Sequence, residues 1–169
     1  IDETGETTGN SGVLMSTQIT GLGMIGSISY GTVETLNIYL GSGDDTFTIQ
    51  STHSGSTTVS TGAGADAIVI DGADGMLTVN GQADDDVITV NGTGASSSST
   101  LNGQAGNDIF NIRAINGPVV VSGGDDSDTI NVGSKAAGVI GDEDNNQGGN
   151  VSSIAALLTV SGNEPSSGS

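Results

Sequence analysis

Ile38-Tyr39-Leu40-Gly41-Ser42-Gly43-Asp44-Asp45-Thr46-Phe47-Thr48-Ile49 sets out an apolar strand end, a glycine-rich corner, an aspartate, and two apolar residues separated by one. The same order returns at Val59, Asp66, Ile68, Ile70; at Val79, Asp86, Ile88, Val90; at Leu101, Asp108, Phe110, Ile112; and at Val121, Asp128, Ile130, Val132. The aspartates therefore recur every 20–22 residues. A fixed period of this length marks one structural unit stacked on copies of itself. Within each unit the apolar residues fall at every second position, which is the strand period and not the helical one. Glycines such as Gly41 and Gly62 supply the backbone freedom that a tight corner needs. The opposite corner, over 51–56, 71–76, 91–98, 113–118 and 133–138, varies in length and accounts for the wandering period.

These observations predict an all-β chain: a parallel β-helix or β-solenoid with 20–22-residue coils and two short strands per coil. A sandwich would not force the same corner chemistry to recur at the same phase, whereas stacking does. Three interior columns follow from the register. They are Ile38/Val59/Val79/Leu101/Val121, Phe47/Ile68/Ile88/Phe110/Ile130 and Ile49/Ile70/Val90/Ile112/Val132. The intervening Thr46, Thr48, Asn80, Asn102, Asn111 and Asn131 suit the outer face.

The chain reads as one module over 1–169, with irregular coils over 1–35, regular coils over 36–140, a polar insertion loop over 141–153 and the start of a next coil over 154–169. Ile28 and Tyr30 fall near the second strand expected before Ile38. Ile1-Asp2-Glu3 resembles Ile70-Asp71-Gly72, which follows a second strand, and Leu158-Thr159-Val160-Ser161-Gly162 matches Leu77-Thr78-Val79-Asn80-Gly81. Neither end reads as a cap, so the expectation is one unit of a longer array whose partner is a neighbouring copy.

With 29 glycines, two phenylalanines, two tyrosines and no tryptophan, the chain has no means to build a thick aromatic core, and a solenoid needs none. Twenty acidic residues against two basic ones give a formal charge of −18. That balance argues against nucleic acid and anionic membrane surfaces as partners. No apolar run has the length of a membrane span. The absence of cysteine removes disulfides, thiol catalysis and thiolate zinc sites.

Stacked coils would place Asp45, Asp66, Asp86, Asp108 and Asp128 about 4.8 Å apart. Two bare carboxylates at that distance repel by about 0.9 kcal/mol in water, and more strongly near a protein surface. Asp44, Asp84, Asp85, Asp125 and Asp126 crowd the same corner. Calcium, which accepts carboxylates and backbone carbonyls in flexible geometry, is one answer, with carbonyls offered by the glycine corner at Gly43, Gly64 and Gly106. The other is that each aspartate hydrogen-bonds to backbone N–H groups of its turn.

The segments Leu40–Thr48, Thr61–Val69 and Gly103–Asn111 resemble the haemolysin-type, repeats-in-toxin calcium nonapeptide G-G-x-G-x-D-x-U-x. That resemblance implies calcium bound between coils, with Asp45, Asp66 and Asp108 as ligands. The implication is weaker for Asp86 and Asp128, where Asp84 and Asp126 replace the second glycine. The toxin repeats carry two nonapeptides per coil and this chain one, so ions are expected along one flank only. Ile19-Thr20-Gly21-Leu22-Gly23-Met24 and Glu34-Thr35-Leu36-Asn37 also look like phrases of giant tandem-repeat surface proteins.

The expected function is a structural repeat module of an extracellular fibre, filament or giant surface adhesin, stiffened by calcium along the Asp/Gly corner. A calcium-binding secretion module of an exported protein is the alternative, and a polysaccharide-active β-helix enzyme is a further one. For catalysis the chain offers only His53, Arg113 and Lys135 beside its carboxylates, and no nucleophile signature. Ice binding fails because the pairs equivalent to Thr46/Thr48 are Ala67/Val69, Val87/Thr89, Ile109/Asn111 and Thr129/Asn131. If the source is eukaryotic, Asn91 and Asn150 open N-glycosylation sequons in expected loops, making the chain a candidate glycoprotein.

Overall fold

The computed structural model describes residues 1–136 and 150–162. Among these there is no helix, and the strands form two sheets that wind together as a β-solenoid. In each regular coil a first strand leads into the glycine corner and a short second strand leaves it. The first strands are β4 (Thr35–Tyr39), β6 (Ser56–Ala63), β8 (Met76–Ala83), β10 (Ser98–Ala105), β12 (Val119–Asp125) and β14 (Leu158–Ser161), stacked in parallel in that order. The second strands are β5 (Thr46–Ile49), β7 (Ala67–Ile70), β9 (Val87–Val90), β11 (Ile109–Ile112) and β13 (Thr129–Val132), also parallel.

Register holds from coil to coil, and this is what turns a sequence period into a core. Ile38 pairs with Val59, Val59 with Val79, Val79 with Leu101, Leu101 with Val121 and Val121 with Val160. Phe47, Ile68, Ile88, Phe110 and Ile130 align in the second column, and Ile49, Ile70, Val90, Ile112 and Val132 in the third. All are buried except Ile130 and Val132 on β13, the last second strand among the described residues, and Val160 on β14, the last first strand among them. A further interior column runs through Thr57, Leu77, Ser99 and Val119.

The outer faces carry hydrogen-bonded side-chain ladders. Asn102 Nδ2 donates to Asn80 Oδ1 at 2.8 Å, and Asn131 Nδ2 to Asn111 Oδ1 at 3.0 Å. Asn111 departs from the outward expectation in being only 2% exposed. The variable corner is pinned by buried threonines instead of glycines. Thr52 Oγ1 accepts from the N–H groups of Asp74 and Gly75, and Thr93 Oγ1 from those of Asn116 and Gly117.

Residues 1–15 form one more turn of the same solenoid. Asp2 bridges Tyr39 in parallel, so Ile1-Asp2-Glu3 lies in the first-strand sheet and not after a second strand. The strand β1 (Ser11–Met15) pairs with β5, setting Gly12 beside Phe47 and Leu14 beside Ile49. It therefore occupies the second-strand place that the spacing suggested for Ile28 and Tyr30. Ile28 lies instead on β3 (Ser27–Ser29), which pairs antiparallel with β2 (Gln18–Gly21), itself antiparallel to β1. This meander closes the end of the core. Gly12 leaves the second column empty, and Leu22 fills the gap so closely that a Cβ on Gly12 would lie 2.6 Å from Leu22 Cδ2.

Leu22, 2% exposed, thus plugs the interior together with Ile19. Leu22→Ala should cost about 2–5 kcal/mol, as truncation of a buried leucine does, measured by urea unfolding. A change below about 0.5 kcal/mol, the range of surface substitutions, would mean that the meander is not a plug.

At the other end the predicted insertion loop lies, up to 149, outside the described residues. From Asn150 the chain lies against the stack, with Ile154 bridging Ile115 and β14 pairing with β12.

Candidate functional site

Each first strand continues into the corner, where Gly62, Gln82, Gln104 and Gly124 align across coils. All four have positive φ, at 106°, 80°, 84° and 122° respectively, and the residues two further on repeat this: Gly64 at 115°, Asp84 at 74°, Gly106 at 131° and Asp126 at 70°. The loss of the second glycine in two coils leaves the corner intact, because aspartate tolerates the left-handed region better than most residues.

After the corner the chain turns each aspartate inward. Asp45, Asp66, Asp86 and Asp108 are only 1–2% exposed. One oxygen of each carboxylate spans to the neighbouring coil. The N–H of Asp45 donates to Asp66 Oδ1 at 2.7 Å, that of Asp66 to Asp86 Oδ1 at 2.8 Å, that of Asp86 to Asp108 Oδ1 at 2.9 Å, and that of Asp108 to Asp128 Oδ1 at 3.0 Å. The series ends at Asn10, whose N–H donates to Asp45 Oδ1 at 2.7 Å. These are inter-coil bonds, whereas the turn-closing alternative from the sequence placed them within each turn.

The second oxygens differ. Asp45 Oδ2 accepts from Gly41 N–H at 3.3 Å, while Oδ2 of Asp66, Asp86 and Asp108 are buried without a hydrogen-bond partner. The Oδ2 atoms of Asp86 and Asp108 lie over the Cα of a glycine in their own coil. A Cβ on Gly81 would be 2.3 Å from Asp86 Oδ2, and one on Gly103 2.0 Å from Asp108 Oδ2.

Burial is the main force on these groups. It pushes Asp66 up to about 6, Asp86 to about 8 and Asp108 to about 6, with each group's bonded N–H, and for Asp66 the Thr61 hydroxyl as well, pulling the other way and neighbouring carboxylates pushing further up. The outer carboxylates behave differently. Asp85 accepts from Asn107 N–H at 2.7 Å, and that bond holds it below the usual carboxylate range. Asp44 Oδ1 accepts from Ala65 N–H at 3.0 Å and Asp84 Oδ2 from Gly64 N–H at 3.1 Å, so the outer row also bridges coils.

Sequence reasoning missed three members of this site. Asn10 takes the aspartate place in the first turn, and Asn10-Ser11-Gly12-Val13-Leu14 is a degenerate form of the repeat that its two substitutions conceal. Glu3 falls where Leu40 and Thr61 lie in later coils, and burial together with Asp45 and Glu6 raises its carboxyl. The small residue five before the aspartate, Gly81 or Gly103, is recognisable only once the carboxylate is known to lie over it.

The aspartates expected to bind calcium stand in one column, and Asp86 and Asp108 each keep a buried Oδ2 without a hydrogen-bond partner. Their Oδ1 atoms are committed to backbone N–H groups, and the carboxylates face the interior rather than the corner's outer surface. The corners of successive coils stack closely: the carbonyl oxygens of Gly41, Asp84 and Gln104 lie 1.9, 2.2 and 2.1 Å from where a Cβ would stand on Gly62, Gly106 and Gly124. Among the described residues no three or more His, Asp or Glu side chains gather in a metal-holding group. Gly43, Gly64 and Gly106 serve close packing: a Cβ on Gly43 would meet the Gly9 nitrogen at 2.4 Å, and one on Gly64 the Gly43 carbonyl at 2.8 Å.

The sequon residue Asn91 is exposed, but its side chain bridges Asp71 Oδ1 at 2.8 Å and Arg113 Nη1 at 3.0 Å, and the Thr93 hydroxyl is buried. Asn150 is exposed, and its Oδ1 accepts from Ser152 N–H at 3.0 Å. His53 stands in the variable corner against Thr57 and the edge of Tyr30. Compared with protein-family models, with curated proteins and with solved structures, the chain matches none of them.

Proposed function

We propose that the chain is a structural spacer: a rod-forming module of an extracellular fibre, filament or giant surface protein, whose partners are further copies of the module. The observation that carries this reading is the use to which its polar groups are put. Aspartates, asparagines and threonines at both corners and on both faces bond to the coil above or below, so chemistry-bearing side chains are consumed in holding the stack. In a quasi-one-dimensional fold such contacts add along the axis and give stiffness in proportion to length. The six strands of the first sheet, at about 4.8 Å each, span roughly 24 Å from first to last. The acidic surface, at −18, keeps such rods apart from one another and from polyanions. In this reading the ladders supply the stiffness and calcium does not.

Electron microscopy of the assembled parent protein, with and without chelator, tests both parts. Narrow rods whose length grows with copy number, unchanged by chelator, are expected. Compact particles would overturn the spacer reading, and rods that fray on chelation would return calcium to the corner.

A further inference from the structure

We propose that the outer face of the first sheet is a binding surface for ice. The pairs that break the threonine pattern lie on the second sheet, whereas the outward positions of the first form a regular array. Thr58, Thr78 and Thr100 align across successive coils, Asn37 heads their column, and Val120 and Thr159 continue it. Val120 keeps the shape of threonine without its hydroxyl. In the second outward column Asn80 Nδ2 donates to Ser60 Oγ at 3.4 Å, and Asn102 Nδ2 to Asn80 Oδ1 at 2.8 Å. Side-chain ladders of this kind hold stacked strands flat.

The hydroxyls set this column apart. Elsewhere in the coils threonine turns inward and is bonded: Thr52 and Thr93 accept backbone N–H groups, and Thr61 donates to the Gly81 carbonyl. Thr58, Thr78 and Thr100 stand partly exposed between buried neighbours, and their hydroxyls have no hydrogen-bond partner among the described residues. These are donors and acceptors held in a row and left for something outside the chain. Charge narrows what that is. The chain carries 20 acidic residues, yet no residue of either column is charged. A cation or a polyanion finds nothing to pair with on such a face, and a neutral surface does.

Spacing selects among neutral surfaces. Like hydroxyls recur about 4.8 Å apart along the stack, and the two columns stand about 6.6 Å apart along each strand. These intervals are close to the repeats between like oxygens in hexagonal ice, so waters bonded to the threonine hydroxyls fall near lattice positions. Threonine is stiff at χ1 and the strands beneath it are fixed by the core, so little freedom is lost on binding. A neutral polysaccharide also lacks charge, but a flat face gains its hold on sugar rings largely from aromatic side chains, and Tyr39 is the one aromatic residue in these columns.

The direct test is partition of the whole chain during slow growth of ice from dilute solution, with protein in the ice measured against protein left in the liquid. The wild-type chain should be enriched in the ice. Thr78→Lys and Thr100→Lys, each of which sets a long charged side chain within the array, should lose that enrichment and be excluded as an ordinary solute is. Thr46→Lys, at an exposed position of the second sheet, should keep it. Circular dichroism confirms that each variant is folded, and if one of the first two is not, the other decides. A wild-type chain excluded from ice, or an enrichment that survives both substitutions, overturns the proposal. Retention on insoluble cellulose without enrichment in ice overturns it too, and gives the face to a neutral polysaccharide. Rods in micrographs of a protein excluded from ice would leave the spacer reading standing and remove only the ice surface.

Discussion

Gly106→Ala should destabilise the chain by roughly 3 kcal/mol or more, combining a backbone cost of about 1–3 kcal/mol with an overpacking cost of similar size. Gly106 has φ +131°, outside the left-handed well that L residues can enter. A Cβ there would stand 2.2 Å from the carbonyl oxygen of Asp84, 2.6 Å from its carbonyl carbon and 3.1 Å from the nitrogen of Asp85. All three are backbone atoms of the preceding coil, so no side-chain rotation relieves the contact. Thermal or urea unfolding reads the loss directly.

A companion variant separates conformation from bulk. Asp84 and Asp126 occupy the equivalent position in other coils at φ 74° and 70°, so the corner has a second form that a polar residue can hold. Gly106→Asn, larger than alanine but more at ease with positive φ, should therefore lose less stability than Gly106→Ala. Were asparagine the worse of the two, free volume at the corner would be the controlling quantity and the two-form description would fail.

That pair of corner forms shows where the sequence was legible and where it was not. The columns of Ile, Val, Leu and Phe could be assigned residue by residue, because a period-2 pattern repeated every 20–22 residues admits one parallel register. The direction in which the aspartates turn was not visible. Alternation counted from Phe47 puts Asp45 on the inner face, whereas charged carboxylates are seldom buried without partners. The cost of burying them is met in part by backbone N–H groups of the neighbouring coil, partners that a one-dimensional reading does not contain. The first turn was missed for a different reason. With Asn10 for aspartate and Gly12 for the large apolar residue, its pattern is incomplete, and the missing volume comes from Leu22, in the turn just after a strand that runs the other way. Tertiary substitution of this kind leaves no periodic trace.

Phe110→Ala should produce the other large loss, about 3–5 kcal/mol, since it empties the place of one of the two largest side chains in the core. Phe110 is fully buried and aligned between Ile88 and Ile130, so the cavity lies between two coils whose other contacts are intact. In a globular core such a loss would lower the stability of the whole domain together. In a stack each coil meets only its neighbours, and a weakened interface is free to part the rod at that point. Hydrogen exchange of the variant should therefore be uneven. Amides of β11 and β13 should lose most of their protection, while those of β5 and β7, on the far side of β9, should stay close to wild type. Phe110→Leu, which refills most of the volume, should restore both stability and the even profile. A Phe110→Ala protein that exchanged uniformly faster from β5 to β13 would show instead that the solenoid unfolds as one cooperative unit. Stiffness along the axis would then be shared by all coils and not limited by the weakest of them.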